Sequence, residues 1–534
     1  MRIFLVYVRD EDYYRLLPPG LTPPRKDGRI EVMAFPPLGI QALAPVLREA
    51  GHDVRMFDTC HPEMTESHIV DAAGREHPDV FALSFLSTTS YVVLKQMAQR
   101  LKQVAPDTPV IVGGPFATMN AVKILEDCPF IDAVGAGEGE ELLLDYLENL
   151  HDPGVVGGLS WRRGDEVIEN ASRPILRNLD DFPYPDRKTL PIEFIESMPL
   201  DVPAVLSFDR WCTVQTSRGC PYKCIYCDIP ALGDGKWRDR SPEHVLGELQ
   251  QLNDEGYRSV YLTDDHFLLK RKRIEAICQG MIDRGLSLRW GCEGRVDSVA
   301  IDEFPLMGKA NCRMLAFGIE AGTQEVLDRL KKDQTLEQIE TAVNLAKKSG
   351  IDTAHGFFLV GSPGETEAQI MESFKFAARL KIDTFGFNRL CAYRGTPLWK
   401  EYVDQGIIDD DRDWHKWFKC SDIDPTVLPG EVVNQARKKG YLRLFAHRIF
   451  LHPLSTLRLL RRFGRYMKWS DIGKLLWSPF RKHTFTRAPT LTAKMIDAGL
   501  TEPDRTNAAN APPGAVPRSN SQLVTVRLAA ATRN

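Results

Sequence analysis

Twice along its length the sequence alternates short β-branched runs with helix-length amphipathic segments, and this alternation limits the fold more than any feature of composition. In the first 150 residues the strand-like runs are RIFLVYV, DVRMFD, DVFALSF, PVIVGG and FIDAVG, separated by segments such as GIQALAPVLREAGH and VVLKQMAQRLKQ. Strands separated by helices are joined by right-handed crossovers, which makes the sheet parallel and puts helices on its faces. The expectation for residues 1–150 is therefore an α/β domain with an open, doubly wound parallel sheet, its ligand crevice beyond the carboxyl ends of the strands.

Glycine and serine gather where that crevice should lie. Ser84, Ser87, Thr88 and Thr89 follow the third run, Gly113 and Gly114 follow the fourth, and Gly135-Ala136-Gly137-Glu138-Gly139-Glu140 follows the fifth. Glycine tolerates positive φ and lets a ligand approach the backbone closely, whereas in isolation each loop would simply turn the chain. Three such loops at one sheet edge make Ser84, Ser87, Gly113, Gly114, Glu138 and Gly139 candidates to line a site for a bulky ligand.

Residues 151–207 are Pro-rich and weakly patterned and read as an extended connector. A second alternating series then runs through WCTVQTSRGC, SVYLTDDHF, LRWGCEGRV, RMLAFGIEAG, DTAHGFFLVGSPGE and TFGFNRLCAYRGTP. Six strand–helix repeats over residues 208–400 predict a partial (β/α)6 barrel, because a closed eight-unit barrel typically needs about 250 residues. Residues 401–494 read as a helical C-terminal region with interleaved Arg and Lys, either a cap on the barrel or a basic amphipathic surface for a membrane or lipid-like substrate. Residues 495–534 have too few large apolar groups to offset ordering and are expected to be disordered.

Cysteine usage separates chemistry from core. Of 11 cysteines, Cys60, Cys128, Cys278, Cys312 and Cys391 lie in or beside apolar segments, while Cys220, Cys224 and Cys227 crowd into SRGCPYKCIYCDIP. An odd number in a chain of this length, with an N-terminal apolar run too short for a signal peptide and no run long enough to span a bilayer, places the protein in a reducing, cytoplasmic setting. A net charge of −4 gives no broad argument for nucleic acid. A zinc site would need a fourth ligand from a distant residue such as Cys212 or His266. Three cysteines on one loop suit a [4Fe–4S] cluster with one iron left open.

The trio resembles the CxxxCxxC loop of the radical S-adenosylmethionine superfamily, with Tyr226 just before the third cysteine. GIEAG at Gly318–Gly322, GSPGET at Gly361–Thr366 and TDDHF at Thr263–Phe267 resemble its strand-end segments. The resemblance implies that the open iron chelates S-adenosylmethionine, which is cleaved to a 5′-deoxyadenosyl radical. It places Tyr226 near the adenine and makes Asp265, Arg295 and Glu320 candidates to contact the ribose or amino-acid portions. The competing readings are that Asp264 and Asp265 cap the helix that follows and that Arg295 pairs with a nearby carboxylate.

FPPLGIQALAPVLREAGHDVRMFD, VIVGGPFAT and AVGAGEGEELL resemble the cobalamin-binding domain that precedes the barrel in the branch holding methylases and the anaerobic magnesium-protoporphyrin monomethyl ester cyclase. Asp58-Thr59-Cys60-His61-Pro62 departs from the Asp-x-His-x-x-Gly corrinoid motif, so the resemblance implies cobalamin without an imidazole below the metal. The implied activity is methylation of an unactivated carbon, in which a substrate radical takes a methyl group from cobalamin. The alternatives are a cobalamin-dependent cyclisation, rearrangement or oxidation, a thioether-forming or methylthio-transferring enzyme, and a non-catalytic redox sensor. The expected partners are a small-molecule substrate, hydrophobic or anionic and bordered by Tyr393, Arg394 and the helical C-terminus, and a flavodoxin- or ferredoxin-type reductant.

Overall fold

A computed structural model of the chain describes residues 1–9, 37–59, 64–188, 210–233, 235–298, 300–415, 428–451 and 456–457. Near the N-terminus, β1 (Arg2–Tyr7), β2 (Asp53–Asp58), β3 (Val80–Ser84), β4 (Val110–Gly113) and β5 (Ala133–Gly135) form a parallel sheet ordered β2-β1-β3-β4-β5. Ile3, Phe4, Leu5 and Val6 of β1 are all buried, as a strand covered by helices on both faces requires. The strand order reverses at β1, which pairs β2 on one side and β3 on the other, so the crevice beyond Tyr7 and Ser84 is the topological switch point.

Part of the expected connector is instead built into this sheet. β6 (Leu159–Arg163) and β7 (Glu166–Glu169) form an antiparallel hairpin on the edge of β5. Trp161 Nε1 donates to Asn170 Oδ1 at 3.1 Å to lock it. The half-exposed outer strand, EVIE, weakens the alternation that would have marked it in the sequence. The chain after the hairpin straps the two sheets together. Asp186 N–H donates to Gln41 O at 2.8 Å, and buried Glu248 accepts from Arg187 of the strap at 2.5 Å and from Arg240 of the barrel.

The second sheet contains β8 (Trp211–Val214), β11 (Ser259–Leu262), β12 (Arg289–Gly294), β13 (Cys312–Glu320), β14 (Thr353–Val360) and β15 (Thr384–Arg389), with the short ribbon β9 (Ser217–Arg218) and β10 (Arg238–Asp239) set above it. Its six strands run parallel in the order β8-β11-β12-β13-β14-β15, which is the partial barrel expected from the repeats. The helices Leu336–Lys348 and Glu367–Arg379 begin with reciprocal capping boxes, Thr335 with Gln338 and Thr366 with Gln369, so their starts are set locally. Their apolar faces pack on the outside of the sheet in one large core. On the inner face Tyr261, Met314, Ala316 and Phe357 form a separate small cluster.

Beyond the barrel, Trp414 packs on Tyr91 and Phe116 of the first domain at ring-centroid distances of 5.6 and 6.2 Å. The helix Gly430–Leu451 lies on the helix Glu367–Arg379, and Tyr441 Oη accepts from Phe387 N–H at 2.9 Å. This part of the C-terminal region therefore caps the barrel. All described residues belong to one compact unit, Met1–Ala488, and the expected tail 495–534 lies outside them. No described helix is long and apolar enough to cross a membrane.

Candidate active site

The cysteine loop leaves the end of β8 and is held at both ends before any cofactor is considered. Asp264, buried after β11, accepts from Thr216 N–H at 2.6 Å, Thr216 Oγ1 at 2.5 Å and Ser217 Oγ at 2.6 Å. Gly219 then takes φ +85°, a left-handed conformation in which an added Cβ would lie 2.1 Å from Lys236 O; its N–H donates to Asp265 Oδ2 at 2.7 Å. Within the loop Ile225 N–H donates to Leu330 O and Leu398 N–H donates to Ile225 O, pinning the stretch between Cys224 and Cys227 to the barrel core. Asp264 and Asp265 thus clamp the loop. Neither caps the following helix, Arg271–Asp283, which has no side-chain cap.

Cys220, Cys224 and Cys227 are all free thiols. Burial pushes Cys220 up and Cys227 up to about 12, the Asp228 carboxylate and the other two cysteines adding to the second shift, so iron must displace protons on binding. Three thiols on one loop can each take a separate corner of a cluster and leave its fourth iron open, whereas SRGCPYKCIYCDIP holds no fourth Cys or His to complete a zinc site. The two distant zinc-ligand candidates are otherwise committed: Cys212 is sealed in β8, and His266 stacks on Tyr222 at 5.5 Å.

Around the loop the barrel presents charge. Arg295 stacks over Tyr222 at 3.7 Å, donates to Cys224 Sγ at 3.4 Å and is paired with Asp297 at 2.9 Å. The pairing reading of Arg295 holds, and the same guanidinium also contacts Cys224. Glu320 ends β13 at φ +66°, unusual for a side chain of this size, and its carboxylate is 2.7 Å from the buried Lys332 Nζ, which also lies 3.4 Å from Tyr226 Oη. Burial raises the Asp265 pKa to about 6 against the opposing Gly219 hydrogen bond. At the end of β14, Ser362 Oγ and Glu365 Oε1 are buried without a protein partner, and burial pushes Glu365 up to about 7. Polar groups without partners after β14, and a buried ion pair at the end of the adjacent β13, fit a compact zwitterionic ligand such as S-adenosylmethionine.

Beside Asp265 opens a cleft of about 570 Å3 that both domains line. Ser84, Gly113, Gly114, Glu138 and Gly139 come together in it with Leu38 and Leu86 from the first domain, and Arg218, Gly219 and Asp265 from the barrel. Gly137, at φ +100°, has open space where a Cβ would stand, so the backbone there meets the cleft directly. A wide, mostly apolar cleft floored by bare backbone fits a flat macrocycle such as a corrin. The named lining contains no histidine, and the alternative ligand His61 lies outside the described residues.

Two expected lining groups act otherwise. Ser87 is buried, lies outside the cleft lining and caps the helix Thr88–Val104 by accepting from Ser90 N–H at 3.3 Å. Arg394 forms an ion pair with Asp410 at 2.9 Å and donates to Met119 O at 3.2 Å, tying the barrel to the first domain. Sequence reasoning missed Arg218, Arg238, Tyr222, Lys332 and Glu365. Arg218 abuts the cysteine loop in SRGC, and that position was the one signal available for it.

Residues 214–377 match the radical SAM superfamily and residues 33–147 match the B12 binding domain. An uncharacterized methyltransferase of Pyrococcus horikoshii is 30% identical over 420 residues, 77% of this chain and 88% of the relative. The anaerobic magnesium-protoporphyrin IX monomethyl ester cyclase of Rubrivivax gelatinosus is 26% identical over 484 residues, 84% of this chain and 83% of the relative. Among solved structures, the radical S-adenosylmethionine methyltransferase TsrM from Kitasatospora setae, with tryptophan substrate and an S-adenosylmethionine analogue bound, superposes with TM-score 0.62 at 19% identity over 76% of both chains. That likeness is one of fold.

Proposed function

The chain belongs to the cobalamin-binding radical S-adenosylmethionine enzymes, and on that premise we propose that it methylates an unactivated carbon of a small molecule with a hydrophobic or lipid-like body. The observation that carries this reading is the shared cleft, because the glycine-lined edge of the first sheet and barrel residues next to the cysteine loop, Arg218, Gly219, Thr263 and Asp265, line one space. Once bound, the [4Fe–4S] cluster and S-adenosylmethionine supply a hydrogen-abstracting radical, and cobalamin supplies the methyl group.

The chain's own residues do the holding. Cys220, Cys224 and Cys227 are the cluster ligands, and the Asp264 and Ile225 anchors fix the loop that carries them. Arg295 and Tyr222 shield Cys224. Tyr226, Asp265 and Glu320 with Lys332 surround the place where S-adenosylmethionine would contact the barrel, Glu320 and Lys332 offering one charge of each sign. Ser84, Gly113, Gly114 and Gly139 are assigned to the corrinoid, with apolar walls such as Leu86 excluding water from the reacting carbon.

The likeness to the cyclase over most of both chains supports a second reading, a cobalamin-dependent ring closure that removes hydrogens. Anaerobic turnover with hydroxocobalamin and a flavodoxin- or ferredoxin-type reductant separates the two. Methylation yields 5′-deoxyadenosine and S-adenosylhomocysteine together, and a product heavier by CH2. Ring closure yields 5′-deoxyadenosine without S-adenosylhomocysteine, and absence of both products over a panel of apolar substrates overturns the enzyme reading. Two narrower assignments accompany the proposal: a reducing, cytoplasmic setting, and peripheral membrane contact through the basic C-terminal stretch, which exposed Leu442, Ile449 and Phe450 support.

A further inference from the structure

The seam between the two sheets is closed by two arginines and two carboxylates, and their arrangement gives them a role beyond packing. Arg218 and Arg238 are direct cross-strand partners on the β9–β10 ribbon, and both reach over the seam to the loop after β5. Arg218 is 2.9 Å from Glu138 Oε1 and also bonds Glu140, while Arg238 is 2.9 and 2.7 Å from the two Glu138 oxygens. Leu176 N–H adds a third donor to Glu138 at 2.8 Å. The four side chains keep between 6% and 23% of their surface exposed.

Glu138 stands at the N-cap of the helix Gly139–Glu148, yet its carboxylate makes no capping bond. It turns to the barrel instead. Burial pushes its pKa up, but the hydrogen bonds from Arg238 and Arg218 outweigh that, so it stays a carboxylate. With both oxygens engaged, the group is unsuited to act as a corrinoid ligand, although it borders the cleft. On the other side of the bridge, Arg218 precedes Cys220 by two residues and is steadied by Gln215, at 2.9 Å. The loop that would carry the cluster and the loop that would carry the corrinoid are therefore joined through Glu138, which takes both arginines, with Glu140 adding a second bond to Arg218.

We propose that Glu138 is a positioning residue that couples the two cofactor sites, so that ordering the cysteine loop around its cluster tightens the grip of the 135–140 loop on cobalamin. The inference rests on the cofactor reading above. By reciprocity, whatever factor cluster loading adds to corrinoid affinity, the corrinoid returns to the cluster. A bridge that only stabilised the fold would leave the two affinities independent.

The test is an anaerobic absorbance titration of the full chain with hydroxocobalamin, in cluster-free and cluster-loaded forms, for wild type and Glu138→Gln. The expected result is an affinity about tenfold higher in the loaded wild type, a ratio falling below about twofold in Glu138→Gln, and iron content unchanged. An equal ratio in both proteins, or no gain in wild type, overturns the coupling. Equal weakening of both forms of Glu138→Gln makes Glu138 a direct corrinoid contact and also overturns it. Wild type that binds no corrinoid in either form overturns the cofactor reading itself. Should Glu138→Gln fail to accumulate, Arg238→Lys keeps the charge and removes the forked geometry, and the coupling requires a reduced ratio there as well.

Discussion

The two sheets share a topology of parallel strands and crossover helices but finish their carboxyl edges in opposite ways. At the first sheet the edge is barer: Gly113, Gly137 and Gly139 present backbone to a wide cleft, and an added Cβ at Gly137 meets nothing within 4 Å, although one at Gly114 would strike Phe85 O at 2.3 Å. At the barrel the edge is crowded with side chains already bonded to one another, and an added Cβ at Gly219 would strike Lys236 O at 2.1 Å. The difference follows from the ligands. A large macrocycle is held by area and shape, which calls for side chains to be removed, whereas a cluster and a zwitterion are held by thiolates and charges, which calls for side chains to be fixed.

The largest effect separating the two edges should come from the cysteines. Cys220→Ala, Cys224→Ala and Cys227→Ala are each expected to lose the cluster and all 5′-deoxyadenosine formation while still binding hydroxocobalamin, measured as iron per chain and corrinoid absorbance. A variant that keeps full iron would contradict the assignment. Next in size is Lys332→Met, which leaves the Glu320 carboxylate buried without its cation; the pair's side chains are 7% and 8% exposed. Denaturant unfolding should show a loss of about 3–5 kcal/mol, with weaker S-adenosylmethionine binding.

A pH series sharpens the picture of the barrel rim. Burial raises the Glu365 pKa from 4.5 to about 7, so its contribution to stability is complete below about pH 4.5 and is lost as pH rises through 7. Glu365→Gln should remove that slope, a difference of up to about 3 kcal/mol across the window by thermal or denaturant unfolding. The same slope in both proteins would mean that Glu365 is not the titrating group. Smallest is Gly137→Ala, which costs about 1–2 kcal/mol of backbone strain at φ +100° and lowers hydroxocobalamin affinity without touching iron content. Gly219→Ala, by contrast, must move the Lys236 backbone and should lower iron content.

How much of this was legible in the sequence tracks the same contrast. The parallel doubly wound sheet and the partial barrel follow from alternation, and the cysteine trio from spacing, because both signals are local. The hairpin β6–β7 did not register, since its outer strand is half exposed and its pattern faint. Sequence proximity suggests a helix cap as a competing role for Asp264, whereas its partners, Thr216 and Ser217, lie 47 to 48 residues upstream. Lys332 and Arg238 were invisible for the same reason: Lys332 meets Tyr226 106 residues away, and Arg238 meets Glu138 100 residues away. Glu138 was expected in the cleft, and it is there, but only the fold shows its carboxylate turned to the arginines.

Metal and corrinoid analysis of the anaerobically reconstituted full-length chain tests most directly whether the two edges hold two different cofactors. Four irons and one corrinoid per chain, with the irons lost in Cys224→Ala and the corrinoid kept, is the expected outcome. A single zinc per chain with no corrinoid retained would contradict it.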